Sequence, residues 1–173
     1  MLAALLAAAL VAHGTPAFQL AAAGPAKGAA VTVHADADSD ALPAGAPTDD
    51  YALVAWCYGA LSRHMELREQ VWPEVQRIET QFPQPGVSVK EALAAYDDQH
   101  KAGLAQLDLY AKALDLGEVA GKTGGLERTV AIQTGRDVWQ GADGADPKAL
   151  ARAWMDWALP SQCPDTANKM LGQ

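Results

Sequence analysis

The fold is decided by residues 48–82, which read TDDYALVAWCYGALSRHMELREQVWPEVQRIETQF. Apolar residues recur there at three- and four-residue spacing, the pattern of one buried face of a long helix. This stripe consists of Leu53, Cys57, Ala60, His64, Leu67, Val71, Val75, Ile78 and Phe82. Thr48 is placed to cap the helix, with Asp49 and Asp50 in its first turn. Pro73 falls on the polar face and removes one backbone hydrogen bond, so we expect it to kink or split the helix.

A second helix follows a break at residues 83–86, which read Pro-Gln-Pro-Gly. Ser88 and Glu91 have the spacing of a capping box, and Gly117 is expected to end the helix. Residues 126–141 are ambiguous, because positions 129–134 would also suit a strand. Since no second strand candidate is present to pair with them, we expect a helix there as well.

Two shorter helices are predicted near the C-terminus. Asp146 followed by Pro147 is typical of a helix start, and residues 159–160, Leu-Pro, end that helix. Cys163 and Pro164 then open a last helix that runs through Leu171. The sequence therefore predicts an all-α domain over residues 48–173: an up-down bundle of about four helices plus a short C-terminal helix, with the first helix kinked at Pro73.

The chain has two cysteines, Cys57 and Cys163. Two cysteines in an exported protein usually form a disulfide, and two separate buried thiols are the alternative. This bond would close a loop of about 105 residues, for which the chain-entropy model gives at most about 4–5 kcal/mol of stabilisation. Because Cys57 lies on the apolar stripe, the bond would hold the C-terminal helix against the bundle.

The first 47 residues are expected to lie outside the domain. Residues 2–12 are an apolar run, shorter than the roughly 20 residues that a membrane-spanning helix needs, and they suit a secretory signal. We expect a signal peptide over residues 1–23, cleaved after Ala17 or Ala23, although no Lys or Arg precedes the run; an Ala-rich tail is the alternative. Residues 24–47 predict a flexible acidic linker rich in Ala, Pro and Gly. The predicted location is periplasmic or secreted.

The formal net charge of −8 limits the kinds of molecule that the protein is expected to bind. An acidic chain repels phosphate backbones and anionic lipid surfaces, so we expect no nucleic-acid partner and no stable membrane insertion after signal cleavage. Basic partners remain compatible with this charge. The composition therefore favours a protein or a small molecule as the binding partner.

Two histidines on the apolar stripes are the nearest approach to a metal site. Asp97 and His100 form an Asp-x-x-His step, and His64 lies on the first helix. If the two helices fold back near residue 85, His64 and His100 differ by about six residues in distance from the turn, or about 9 Å, too far for one ion. We therefore expect packed histidines, no metal site and no cofactor.

Five tryptophans and several glutamates are the other candidate functional residues. We expect Trp154 in the core and leave Trp72 and Trp157 open as interface aromatics. Glu66, Glu69, Glu74 and Glu79 supply carboxylates but lie largely on or beside the polar face, and no nucleophile motif is present, so no catalytic residue is predicted.

The sequence favours an exported, non-enzymatic helical-bundle protein of the bacterial cell envelope that acts through contact with a protein partner. One alternative is a small-ligand or metal-binding bundle that uses the space around His64 and His100. A lesser alternative is a cell-wall glycan hydrolase.

Overall fold

The computed structural model describes residues 42–43, 45–121 and 125–173. Over these residues it contains α-helices and short 3₁₀ turns but no strand, which confirms the all-α class. The α-helices are α1 (Asp50–Gln81), α2 (Val89–Val119), α3 (Gly125–Arg136), α4 (Pro147–Asp156) and α5 (Gln162–Met170). No helix in the described part of the chain is long and apolar enough to cross a membrane.

The predicted signal peptide, residues 1–23, lies outside the described residues, and so does most of the predicted linker. The last linker residues are described. Two of them, Leu42 and Ala46, are partly buried and pack against the core at the start of α1.

The ends of α1 differ from the prediction at both termini. Asp49, not Thr48, is the N-cap, and its side chain accepts the backbone N–H three residues further on at 3.0 Å. The helix is continuous through Pro73, so it is not split, and the kink stays a prediction. Phe82 was predicted on the buried stripe, and this is wrong: it is the C-cap residue, beyond the last turn, and its side chain is exposed.

The start of α2 is confirmed and its end is corrected. The backbone N–H of Glu91 donates to the Ser88 hydroxyl at 3.2 Å, and the backbone N–H of Ser88 donates to the Glu91 carboxylate at 2.9 Å. Gly117 does not end the helix, which runs on to Val119. Gly117 is needed for packing instead, because a Cβ there would lie 2.6 Å from the Tyr51 ring.

The ambiguous region after residue 125 is helical, as predicted, and continues into a 3₁₀ turn at Asp137–Trp139. Asp146 caps α4 by accepting the backbone N–H of Ala149 at 3.0 Å, with Pro147 in the first turn. The helix ends at Asp156, three residues before the predicted stop. The segment 157–161 therefore crosses to α5 as non-helical chain.

The N-terminal turns of α1, over residues 51–61, are buried or partly buried on every side. Residues 53–57 are five consecutive buried positions, and α1 packs against α2, α3, α4 and α5. A helix that is apolar around its whole circumference is typical of the centre of a domain. The other helices surround α1, and the up-down arrangement of the bundle is not confirmed.

The core consists of two clusters along α1. The first joins the start of α1 to α2, α3 and α5 through Trp56, Cys57, Tyr110, Leu114, Ala131 and Ala167, among others. The second joins the later turns of α1 to α4 and the preceding 3₁₀ turns through Leu67, Val71, Val75, Trp139, Leu150 and Trp154, among others. The site described below lies where the two clusters meet.

Two glycines set the spacing between α1 and α3. A Cβ at Gly59 would lie 1.9 Å from the backbone oxygen of Ile132, and a Cβ at Gly135 would lie 2.0 Å from the backbone oxygen of Trp56. Real Cβ atoms do not approach backbone that closely, so any larger residue at either position must push the helices apart.

We expect Gly59→Ala and Gly135→Ala each to lower the free energy of unfolding by about 1–3 kcal/mol, the usual cost of overpacking. Helix propensity alone predicts the opposite, since Ala favours a helix over Gly by about 1 kcal/mol. Urea denaturation of the two variants measures the effect. Gly125→Ala is the matched control, because its Cβ would meet nothing closer than 3.9 Å; stabilisation at all three positions would contradict the packing.

The predicted disulfide is confirmed. Cys57 and Cys163 are bonded, their Cα atoms are 5.9 Å apart, and both side chains are fully buried. The bond connects the N-terminal part of α1 to the first turn of α5. It therefore fixes the segment that connects α4 to α5 at its C-terminal end.

Replacing both cysteines with Ala is expected to lower the free energy of unfolding by at most about 4–5 kcal/mol, because the bond closes a long loop in the unfolded chain. Urea denaturation of the oxidised protein and of the C57A/C163A variant gives the difference. Reducing agent should shift the midpoint of the wild type and leave that of the variant in place. Equal midpoints for the oxidised protein and the variant would show that the bond contributes no stability.

Candidate functional site

A cavity of about 230 Å³ opens between α1, α2 and the end of α4. We call it the histidine pocket, because His64 of α1 and His100 of α2 both line it. Its other walls are Leu61 and Met65 of α1, Tyr96, Gln99, Ala102, Gly103 and Gln106 of α2, and Trp154, Trp157 and Leu159. Among the described residues that line it, none is Asp, Glu, Lys or Arg.

The His64 ring is held by three tryptophans. It stacks on Trp154 with ring centroids 4.7 Å apart and planes 5° from parallel, and on Trp157 at 4.6 Å and 29°. Trp139 lies against it in a tilted arrangement at 5.4 Å. The indole N–H of Trp154 also donates to the backbone oxygen of His64 at 2.8 Å. These contacts fix both the position and the orientation of the imidazole.

Burial among these rings makes His64 a neutral side chain. Loss of solvent lowers the pKa of His64 from 6.5 to about 3, with a smaller contribution from the nearby His100. The Nδ1 atom of each of these histidines is buried and has no hydrogen-bond partner. At neutral pH the pocket therefore presents an uncharged imidazole within an aromatic wall.

A second layer of contacts holds the α2 side of the pocket. The Tyr96 hydroxyl donates to the buried Glu79 carboxylate at 2.7 Å, and burial together with this bond raises the pKa of Tyr96. The Tyr96 ring contacts Trp154 at 6.0 Å and the edge of Trp72 at 6.3 Å. Arg68 lies over the Trp72 ring at 4.4 Å. Tyr96 is therefore fixed between its neighbours and not free to swing into solvent.

The three weak candidates for metal ligands, His64, Asp97 and His100, do not lie together at one site. His64 and His100 line the same pocket, but Asp97 accepts a hydrogen bond from Arg68 at 2.5 Å instead. In the described ranges no group of three His, Cys, Asp or Glu side chains is placed to hold a metal ion. The histidines therefore act as pocket walls in this arrangement.

The predicted aromatic residues divide between core and pocket. Trp154 is buried in the second core cluster, as predicted. Trp72 is half-buried against Tyr96 and Arg68, away from the pocket lining. Trp157 is half-buried and caps the end of α4, where it closes one side of the histidine pocket. Its role as an interface aromatic stays a prediction.

The glutamates of α1 are engaged in separate contacts. Glu66 accepts two hydrogen bonds from Arg136 at 2.7 Å, which lower the pKa of Glu66, and Glu74 is paired with Arg77. Glu79 is buried, whereas the four glutamates were expected largely on or beside the polar face. Glu69 is exposed.

Several pocket residues were missed from the sequence. Tyr96 lies one turn before His100 on the predicted stripe of α2, so helical periodicity was a sufficient signal for it. Gln99 and Gln106 lie beside the same stripe, and nothing in the sequence marked either of them as a pocket residue. Trp157, which the sequence left open as an interface aromatic, and Leu159 reach the pocket from a segment that was predicted within the fourth helix and is not helical.

No known family model, no curated protein and no solved structure matches this chain.

The lowered pKa of His64 predicts a pH dependence of stability. Between about pH 6.5 and pH 3 the unfolded chain binds a proton at this side chain that the folded chain does not, so stability falls as the pH is lowered through that window. Relative to the wild type, His64→Gln should lose less stability between about pH 7 and pH 4.5, by about 1–3 kcal/mol.

Urea denaturation of both proteins at the two pH values measures this difference. Carboxylates that titrate in the same range contribute equally to both proteins and cancel. An identical loss in the wild type and the variant would show that His64 is protonated in the folded state as easily as in the unfolded state.

Proposed function

We propose that this protein binds a small, uncharged, largely apolar aromatic molecule in the histidine pocket. The observation that carries the proposal is the enclosure of neutral His64 by Trp154 and Trp157 on one side of a cavity that Tyr96 closes on another. Ligand sites are typically concave and apolar, with a few polar groups that fix orientation.

The size of the pocket limits the ligand. Cavities that take drug-sized molecules have volumes of about 300–1,000 Å³. A cavity of about 230 Å³ suits a molecule of one or two rings. The aromatic walls favour a planar ligand, because stacked and edge-to-face ring pairs add stabilisation beyond the area they bury.

The polar groups of the pocket limit the ligand's charge. Gln99, His100 and Gln106 all come from α2, whereas the opposite wall is made by indole rings, aliphatic side chains and the neutral imidazole of His64. A charged ligand would lose its hydration without gaining a counter-ion, since no described lining residue carries a full charge. A neutral ring with a hydroxyl or amine directed at α2 fits both walls.

We also propose that the protein functions in the periplasm or outside the cell. The buried Cys57–Cys163 disulfide supports this location, because such bonds persist in oxidising compartments and are rare in the cytosol. The apolar run at residues 2–12 supports it independently as an export signal. The ligand would then be met in the cell envelope or the medium.

A second candidate function is contact with a protein partner. Apolar side chains are strongly exposed near the connection between α2 and α3, with Val119 at 87% and Leu126 at 78% exposure. Leu116 and Val130 are exposed on the same two helices. Clusters of exposed apolar residues are typical of protein interaction sites. This candidate does not require the histidine pocket to be occupied.

Titration with 2-naphthol, a neutral two-ring probe with one hydroxyl, tests the first proposal. We expect saturable binding by isothermal titration calorimetry, and weaker binding of naphthalene, which lacks the hydroxyl. Ala102→Leu should weaken 2-naphthol binding at least about tenfold, because Ala102 is exposed at the pocket and a larger side chain fills it.

Ala105→Leu is the matched control, since Ala105 is exposed on the same helix and does not line the pocket. It should bind 2-naphthol as the wild type does. Absence of saturable binding, or equal affinity in the two leucine variants, would overturn the proposal and leave the second candidate.

A further inference from the structure

A second cavity of about 240 Å³ lies beside the histidine pocket. It is lined by Trp56 of α1, by Thr134 at the end of α3, by Asp137, Val138 and Gln140 just beyond it, and by parts of segments 43–45 and 157–160. We call it the aspartate pocket. Trp157 lines both cavities, and the two share no other described lining residue.

Asp137 is the single charged residue among the described residues that line this pocket. Its carboxylate accepts a hydrogen bond from the Gln133 side-chain amide at 2.8 Å. It forms no ion pair with any described Lys, Arg or His. A carboxylate without a cation therefore stands at the edge of an aromatic cavity.

The nearby arginines are committed to other carboxylates. Arg136, the neighbour of Asp137 in the chain, forms a two-pronged ion pair with Glu66. Arg63 pairs with Asp143 at 2.5 Å and with Glu66 at 3.3 Å. In the described structure neither arginine forms an ion pair with Asp137.

The rest of the lining suits a cation that carries carbon. Trp56 and Trp157 contribute indole rings to the lining, and indole is the aromatic side chain whose face attracts ammonium groups most strongly. The Thr134 hydroxyl donates to the backbone oxygen of Val130, so its remaining capacity is as an acceptor. Rings and acceptors together complement a positive charge, and the net charge of −8 favours the approach of cations over anions.

We propose that the aspartate pocket is a binding site for an organic ammonium ion, with Asp137 as its counter-ion and Trp56 and Trp157 as its aromatic walls. The site takes a cationic ligand and the histidine pocket a neutral one, because a carboxylate lines the aspartate pocket and no formally charged side chain lines the histidine pocket. It does not depend on the function proposed above.

Choline and its neutral isostere 3,3-dimethyl-1-butanol test this site, because the two probes differ in charge and hardly in shape. We expect choline to bind saturably by calorimetry, and the isostere at least about tenfold more weakly. Asp137→Asn should lower the affinity for choline about tenfold and leave the weak binding of the isostere unchanged. Asp165→Asn is the matched control, since it removes one exposed acidic charge at a residue that does not line the pocket.

Ala158→Leu provides a second variant that does not alter charge. Ala158 is exposed and lines the pocket, so a larger side chain there should block choline without disturbing the core. Equal choline affinity in the Asn variants of Asp137 and Asp165, equal binding of the two probes, or no saturable choline binding would each overturn the site. Unchanged 2-naphthol binding in Asp137→Asn would keep this result separate from the fate of the histidine pocket.

Discussion

The rest of the structure depends on the burial of the N-terminal turns of α1, residues 51–61, on all their sides. Positions 53–57 are buried without interruption, so α2, α3 and α5 must each supply a face that covers them. Gly59 and Gly135 let α3 approach to backbone contact, and the Cys57 disulfide attaches α5. A central helix of this kind fixes its neighbours jointly, because displacing any one of them exposes apolar surface on α1.

The histidine pocket lies where this complete burial ends. Beyond Leu61, α1 buries one face only, and α4 covers it through the tryptophans that enclose His64. An imidazole placed there loses its hydration, which lowers the pKa of His64. The side chain is therefore a neutral polar group inside an aromatic wall, and the folded protein loses stability below neutral pH. A buried polar side chain that costs stability is a feature expected at functional sites.

Trp157 connects the two cavities to the covalent framework. It follows the last residue of α4 and lines both pockets, and the segment that carries it is anchored six residues later by the disulfide at Cys163. The walls contributed by segment 157–160 therefore depend on a bond whose other end lies in the N-terminal part of α1. The Cys57–Cys163 disulfide therefore constrains both the fold and the shape of the two pockets.

The sequence by itself determined the helices and the covalent link. Caps such as Ser88 with Glu91, and Asp146 with Pro147, form between residues a few positions apart, and a helical period is a local property. Tertiary structure alone decided that Gly117 continues a helix, that Glu79 is buried beside Tyr96, that Phe82 is exposed, and that α1 is central. The sequence predicted a helix up to residues 159–160, whereas segment 157–160 is not helical, so its contact with His64 could not be read from the chain. These outcomes depend on which surfaces from distant parts of the chain pack together. Burial between residues that are far apart in sequence leaves no signal in any short stretch of it.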